Sequence, residues 1–155
     1  MKVVVWGSQE SREKALSDGF ETAPSKRGFF AQSDVLSLHL RLSSKTEACV
    51  TYDDLQLMKK DALIVNTSRA QLIETDALIR SLKQGRPGFA ALDVYDSEPT
   101  SLEQEPLLAM PNVLCAPHLG YVERNNYELY FNIAFENVVN YFQGRPQNIA
   151  NSEIL

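Results

Sequence analysis

Between Asp61 and Tyr121 three short apolar runs alternate with polar clusters. Ala62-Leu63-Ile64-Val65 leads into Asn66-Thr67-Ser68-Arg69, and Gly88-Phe89-Ala90-Ala91-Leu92 leads into Asp93 to Glu98. Val113-Leu114-Cys115-Ala116 leads into Pro117-His118-Leu119-Gly120. Runs this short, bounded by turn formers, predict fully buried strands rather than helices. A helical pattern separates the first two, and strand–helix–strand is the signature of a parallel sheet. Ligands of open parallel sheets sit beyond the carboxyl ends of the strands. Arg69, Asp93, Glu98 and His118 fall at those ends.

The remaining pattern predicts the flanking elements. Lys2 to Trp6 is a β-branched strand, and Ser8 caps a helix through Leu16 that Gly19 ends in the left-handed conformation. Pro24 to Gly28 reads as a loop, and Phe29-Phe30 anchors a helical turn stopped near Ser33. Asp34 to Leu40 is a strand with Val35, Ser37 and His39 on one face and Leu36, Leu38 and Leu40 on the other. Thr51 and Asp54 form a capping box for a helix carrying Leu55 and Met58. Glu74-Thr75-Asp76 opens the next helix, whose buried stripe is Leu78, Ile79 and Leu82. An acidic loop from Ser97 to Asn112 precedes the last strand. The longest helix runs from Val122 to Gln143, with Tyr127, Phe131, Phe135, Val138 and Phe142 forming a stripe of core or subunit contact.

Composition narrows the function classes. A net charge of -5 argues against a general nucleic-acid or anionic-membrane binder. No apolar run approaches the ~18 residues of a membrane span, and Met1-Lys2-Val3 enters a strand directly, so a cytoplasmic protein is expected. Cys49 and Cys115 lie far apart, without metal-ligand spacing, and read as reduced core residues.

Taken singly, the candidate groups are ambiguous. Arg69 presents a planar fork suited to a carboxylate, yet an isolated arginine there is more simply an ion-pair partner. Glu98 alone reads as solvated surface, Asp93 as a turn cap or an acceptor from a ligand amide, and His118 as a satisfied structural group. Together they change the picture. A histidine titrating near neutrality moves a proton, a carboxylate on its other nitrogen fixes the tautomer, and an arginine holds an oxyanion. Those are the parts needed to take a proton from an alcohol while hydride leaves.

Asn66-Thr67-Ser68-Arg69-Ala70, Leu92-Asp93-Val94-Tyr95-Asp96-Ser97-Glu98-Pro99 and Ala116-Pro117-His118-Leu119-Gly120 resemble motifs of the nicotinamide-binding domain of the D-2-hydroxyacid dehydrogenases. Ser33 to His39 fits as well. The resemblance implies a Rossmann-like, doubly wound parallel α/β sheet and reversible hydride exchange between NAD or NADP and a small 2-keto or 2-hydroxy acid, in a homodimer. It implies His118 as acid/base, Glu98 as its partner, and Arg69 on the substrate carboxylate. Asp93 would meet the nicotinamide amide, while Ser8, His39, Thr67, Ser68 and Gly120 would line the dinucleotide groove.

Two departures from the family pattern stand out. The chain contains no G-x-G-x-x-G loop, so the first strand and the pyrophosphate cradle are expected to be missing. Where an acid would grip the adenine ribose it reads Gly7-Ser8, followed by Ser11 and Arg12, which leaves NAD and NADP both open. Residues 1–146 are then a partial dinucleotide-binding domain, and 147–155 a tail returning to a missing substrate domain. With strand order 3-2-1-4-5-6, the lost strand is expected between Val3-Val4-Val5 and Leu63-Ile64-Val65. Such a chain is expected to be inactive alone. A non-catalytic dinucleotide-sensing or partner-binding module, or an inactive remnant, is the alternative.

Overall fold

The structure is a computed structural model that describes residues 1–154. It divides into two compact units, Met1–His118 and the residues from Leu119 onward.

In the first unit β3 (Val35–Leu38), β4 (Leu63–Asn66), β5 (Phe89–Leu92) and β6 (Val113–Cys115) form a parallel sheet in the order β3-β4-β5-β6. Their register aligns Leu38, Asn66, Leu92 and Cys115 in one row at the carboxyl ends. The next residue on each strand therefore opens the loop that carries a candidate group. The crossovers are α3 (Tyr52–Gln56), α4 (Ala77–Lys83) and a 3-10 turn at Pro106–Ala109. Leu55, Met58, Ile64 and Leu72 are fully buried between sheet and helices. The expected alternation holds within β3, with Leu36 and Leu38 buried and Val35 and Ser37 exposed, but the strand stops before His39 and Leu40, and Leu40 is exposed.

Local chemistry explains the helix starts. Thr51 and Asp54 make the reciprocal capping box, and Asp54 also accepts from Lys26 Nζ at 2.5 Å, which ties α2 (Lys26–Gln32) to α3. Helix α4 starts later than the acids suggest, at Ala77, because Asp76 takes a left-handed conformation at its N-cap. Gly88 enters β5 where a Cβ would lie 2.0 Å from the Lys60 carbonyl, so only glycine fits there.

The amino-terminal part departs from expectation. β1 is confined to Val4–Val5 and pairs in parallel with β2 (Glu21–Thr22), reached through α1 (Gln9–Ser17) and the left-handed Gly19. The two-residue β2, without an apolar run, carries no periodic signal. The expected loop at Pro24 to Gly28 is the start of α2 instead, because the Ser25 hydroxyl accepts from Gly28 N–H and caps the helix. Overlooking β2 also misplaced the open edges. β4 is paired on both sides, by β3 and β5, so Leu63-Ile64-Val65 faces no gap. Among the described residues the strands form two separate sheets, and β1, β2, β3 and β6 each keep one edge without a strand partner.

In the second unit α5 (Arg124–Phe142) is capped by Glu123, which accepts from Asn126 N–H. Tyr127, Phe131 and Phe135 stack in sequence with ring centroids 5.7 and 6.2 Å apart. No residue of α5 is buried, so within this chain the aromatic stripe is not core. None of the helices among the described residues is long and apolar enough to cross a membrane.

Candidate active site

The candidate groups sit on loops fastened to one another at the carboxyl edge of the four-stranded sheet. Buried Asn66 ends β4 and folds the turn after it, accepting from Ser68 N–H at 3.1 Å and donating to the Arg69 carbonyl at 2.9 Å. This is an Asx-type turn, in which the side chain supplies the partners that a strand or helix would otherwise provide. It leaves Thr67 and Arg69 exposed. The Ser68 hydroxyl donates to the Leu40 carbonyl at 2.6 Å, linking this turn to the segment after β3. On that segment His39 is exposed, with Nε2 2.9 Å from the Ser37 hydroxyl.

Asp93 follows β5 directly and is 5% exposed, with its N–H on the Asn66 carbonyl at 3.0 Å. The chain then turns through Tyr95 to Glu98, whose Oε1 accepts from the Tyr95 N–H at 2.9 Å. Glu98 Oε2 lies 2.6 Å from His118 Nδ1. A carboxylate can only accept, so this bond places the imidazole proton on Nδ1 and makes Nε2 the basic nitrogen of the neutral ring. The two side chains are 38% and 36% exposed, open enough to reach a small molecule.

Glu98 is held below the ordinary carboxylate range. The Tyr95 N–H contributes most, then the hydrogen bond from His118, and the positive charges of His118 and Arg69 act in the same direction. Arg69 is thus within electrostatic reach of the pair, while one of its own guanidinium nitrogens donates to the Ser68 carbonyl at 2.6 Å. His118 holds a left-handed backbone, φ 56°, which is uncommon for a residue other than glycine.

A cavity of about 200 Å³ lies beside this cluster, lined by Asn66, Ile73, Leu92, Ser97, Thr100 and Glu105 among others. Neither Arg69, Glu98 nor His118 lines it. The reactive groups instead lie on an open face, and chemistry points to that face, whatever the size of the neighbouring hollow.

The remaining sequence-predicted residues fall in other places. Ser8 caps α1, accepting from Ser11 N–H at 3.1 Å, at the carboxyl end of the separate β1–β2 ladder. Gly120 lies in the second unit, two residues past His118. Two residues were undervalued by sequence reasoning. Asn66 figures in the sequence only as the first residue of a motif, although an asparagine closing an apolar run is itself the signal of the turn it builds. Tyr95 was read only as part of a motif, and nothing in an isolated tyrosine reveals its partners.

A parallel α/β sheet with linked polar loops along its carboxyl edge, joined there by a carboxylate–imidazole pair and an arginine, defines a Rossmann-like domain. Residues 1–120 match the family model of the D-isomer specific 2-hydroxyacid dehydrogenase NAD binding domain, and the chain belongs to that family. It is 35% identical over 156 residues to a glyoxylate reductase of Aeropyrum pernix, covering 100% of this chain and 46% of that protein. Among solved structures, a phosphoglycerate oxidoreductase of Vibrio cholerae is 56% identical with a TM-score of 0.86, covering 93% of this chain and 46% of the other. An oxidoreductase of Ralstonia solanacearum is 50% identical with a TM-score of 0.91, covering 97% and 44%. The chain spans about half the length of the curated relatives it matches.

Proposed function

We propose that this chain carries the acid–base half of an NAD(P)-dependent D-2-hydroxyacid dehydrogenase. The observation that supports it is the 2.6 Å bond between His118 Nδ1 and Glu98 Oε2, with the charge of Arg69 acting on the same carboxylate. In this reading His118 Nε2 takes the hydroxyl proton of a 2-hydroxy acid, or returns it to a 2-keto acid. Glu98 holds the ring and stabilises its charged form. Arg69 binds the substrate carboxylate and the oxygen that gains charge, with two parallel donors. The bound dinucleotide supplies or accepts the hydride.

The residues present suit the nicotinamide side of a dinucleotide. Asp93 is a buried acceptor beside the row of strand ends, and His39, Thr67 and Ser68 border the β3 side. Ser8 and Gly120 complete the cofactor set in this proposal. At the β1 end Ser8, Ser11 and Arg12 would be the residues to hold a 2′-phosphate, so NADP and NAD are both kept in this proposal. No glycine-rich loop is among these residues to cradle a pyrophosphate. The 155-residue chain by itself is therefore assigned no turnover, and a homodimer is part of the same reading, with the exposed aromatic face of α5 offered to a partner.

The test is dinucleotide-linked reduction of a panel of small 2-keto acids, glyoxylate included. It is made with the product of the reading frame that encodes this chain. Turnover that His118→Asn abolishes supports the proposal, and turnover indifferent to His118 overturns it.

A further inference from the structure

We infer that Tyr95 is a positioning residue for the acid–base pair, fastening both of its members through two different groups of one side chain and backbone. Its N–H donates to Glu98 Oε1 at 2.9 Å, which leaves Oε2 for the imidazole. Its hydroxyl donates to the Ala116 carbonyl at 2.8 Å, two residues before His118.

The second contact matters because of where Ala116 stands. Its own N–H is already held by the Leu92 carbonyl at 2.8 Å, the rung that ends the β5–β6 ladder. The Tyr95 hydroxyl takes the carbonyl of the same residue, so both backbone polar groups of Ala116 are held. Beyond it the chain runs through Pro117 into the left-handed His118. A non-glycine residue keeps such a conformation only where its surroundings over-determine it. Tyr95 supplies that constraint from the loop that also presents Glu98, so both partners are referred to one anchor. The anchor is buried, with Tyr95 8% exposed, and burial pushes its phenol well above the usual range, keeping it a donor. A phenylalanine would fill the same volume without the hydroxyl donor.

The kinetic arm of the test rests on the catalytic reading above, whereas the spectroscopic arm does not. In the full 155-residue chain, the hydrogen-bonded Nδ1 proton of His118 is followed by ¹H–¹⁵N NMR and the Glu98 carboxyl by ¹³C titration. Tyr95→Phe is expected to broaden or remove the His118 signal and to move the Glu98 titration upward by the part that the His118 bond contributes, the Tyr95 N–H being retained. In the dehydrogenase encoded by the reading frame, kcat is expected to fall about three- to tenfold, the scale of one lost hydrogen bond, with KM for the dinucleotide unchanged. Were Tyr95 only filling space, phenylalanine would leave both NMR signals in place, whatever it does to the melting temperature. That outcome overturns the inference, whether or not the enzyme turns over. Should Tyr95→Phe lose its cooperative transition, 3-fluorotyrosine at position 95 keeps the ring and strengthens the donor. An unmoved His118 signal in that protein also overturns it. His118-independent turnover with a displaced His118 signal supports positioning while refuting the catalytic assignment.

Discussion

His118 Nδ1 and Glu98 Oε2 are 2.6 Å apart across a separation of 20 residues, and the histidine reaches that position with a left-handed backbone. Holding a non-glycine residue there costs on the order of 1–3 kcal/mol. The fold therefore spends conformational strain to set an imidazole against a carboxylate that would otherwise be plain surface. Removing the imidazole should be the most damaging single change. In the enzyme encoded by the reading frame, His118→Asn is expected to lower turnover by roughly two to four orders of magnitude, and Glu98→Gln by less. Steady-state kinetics of the two variants check both statements.

The same pair makes a statement about stability. Glu98 titrates lower in the folded chain than in the unfolded one. A group with a depressed folded value contributes stability above its unfolded value, near the ordinary ~4.3 of glutamate, and loses it as pH falls through the lower folded value. Wild type and Glu98→Gln should therefore differ in denaturant midpoint at neutral pH, and the difference should shrink as pH falls through the lowered folded value of Glu98. A difference that persists at low pH would mean that the two variants differ for another reason.

Arg69 is fixed by its turn rather than by burial. Asn66 closes that turn through two hydrogen bonds, and the Arg69 side chain is exposed beyond it. Lysine preserves the charge but not the planar fork. Arg69→Lys is expected to raise KM for the keto acid tenfold or more, about 1.4 kcal/mol of lost binding, and to leave dinucleotide affinity near wild type. Isothermal titration with each ligand separates the two, and loss confined to the dinucleotide would reassign the residue.

The carboxyl ends of the sheet were legible because each strand is a short apolar run that stops at a polar cluster. Leu63 to Asn66, Phe89 to Leu92 and Val113 to Cys115 follow that rule, and Arg69, Asp93, Glu98 and His118 lie in the polar clusters that follow their ends. What the pattern concealed was short or borne by side chains. Glu21–Thr22 forms a strand of two residues whose apolar content is nil, so the position of the open edges was misread. Ser25 starts α2 by accepting one backbone N–H, a contact invisible beside Pro24. The links from Ser68 to Leu40 and from Tyr95 to Ala116 span 28 and 21 residues, and no periodicity reports such a partner.

Gly88 gives a test of the fold that is independent of function. A methyl group at this position would meet the Lys60 carbonyl at 2.0 Å, a backbone atom held by the turn before β4. Relief requires the entry of β5 to move, and overpacking of this kind costs typically about 1–3 kcal/mol or more. Gly88→Ala should lower the melting temperature of the chain by at least about 3 °C. An unchanged Tm would show that β5 enters the sheet by another path.

The split sheet sets the last expectation. β4 and β5 are paired on both sides, whereas β1 and β3 each keep one edge without a strand partner. Amides on an unpaired edge have no ladder bond to break before exchanging, and exposed edges also recruit other chains. In the 155-residue chain Ile64 and Ala90, both buried in β4 and β5, should be the slowest to exchange with deuterium. Amides of Val4 and Val5, and those of β3 that face away from β4, should exchange orders of magnitude faster and be protected as concentration rises and edges pair. Dinucleotide should protect them little, because the chain lacks the glycine-rich loop that would hold a pyrophosphate. Hydrogen exchange with and without NADPH, at two protein concentrations, measures all three. Uniform slow exchange across β1, β3 and β4, with micromolar NADPH binding, would mean that the two ladders are joined in solution and the module is self-sufficient.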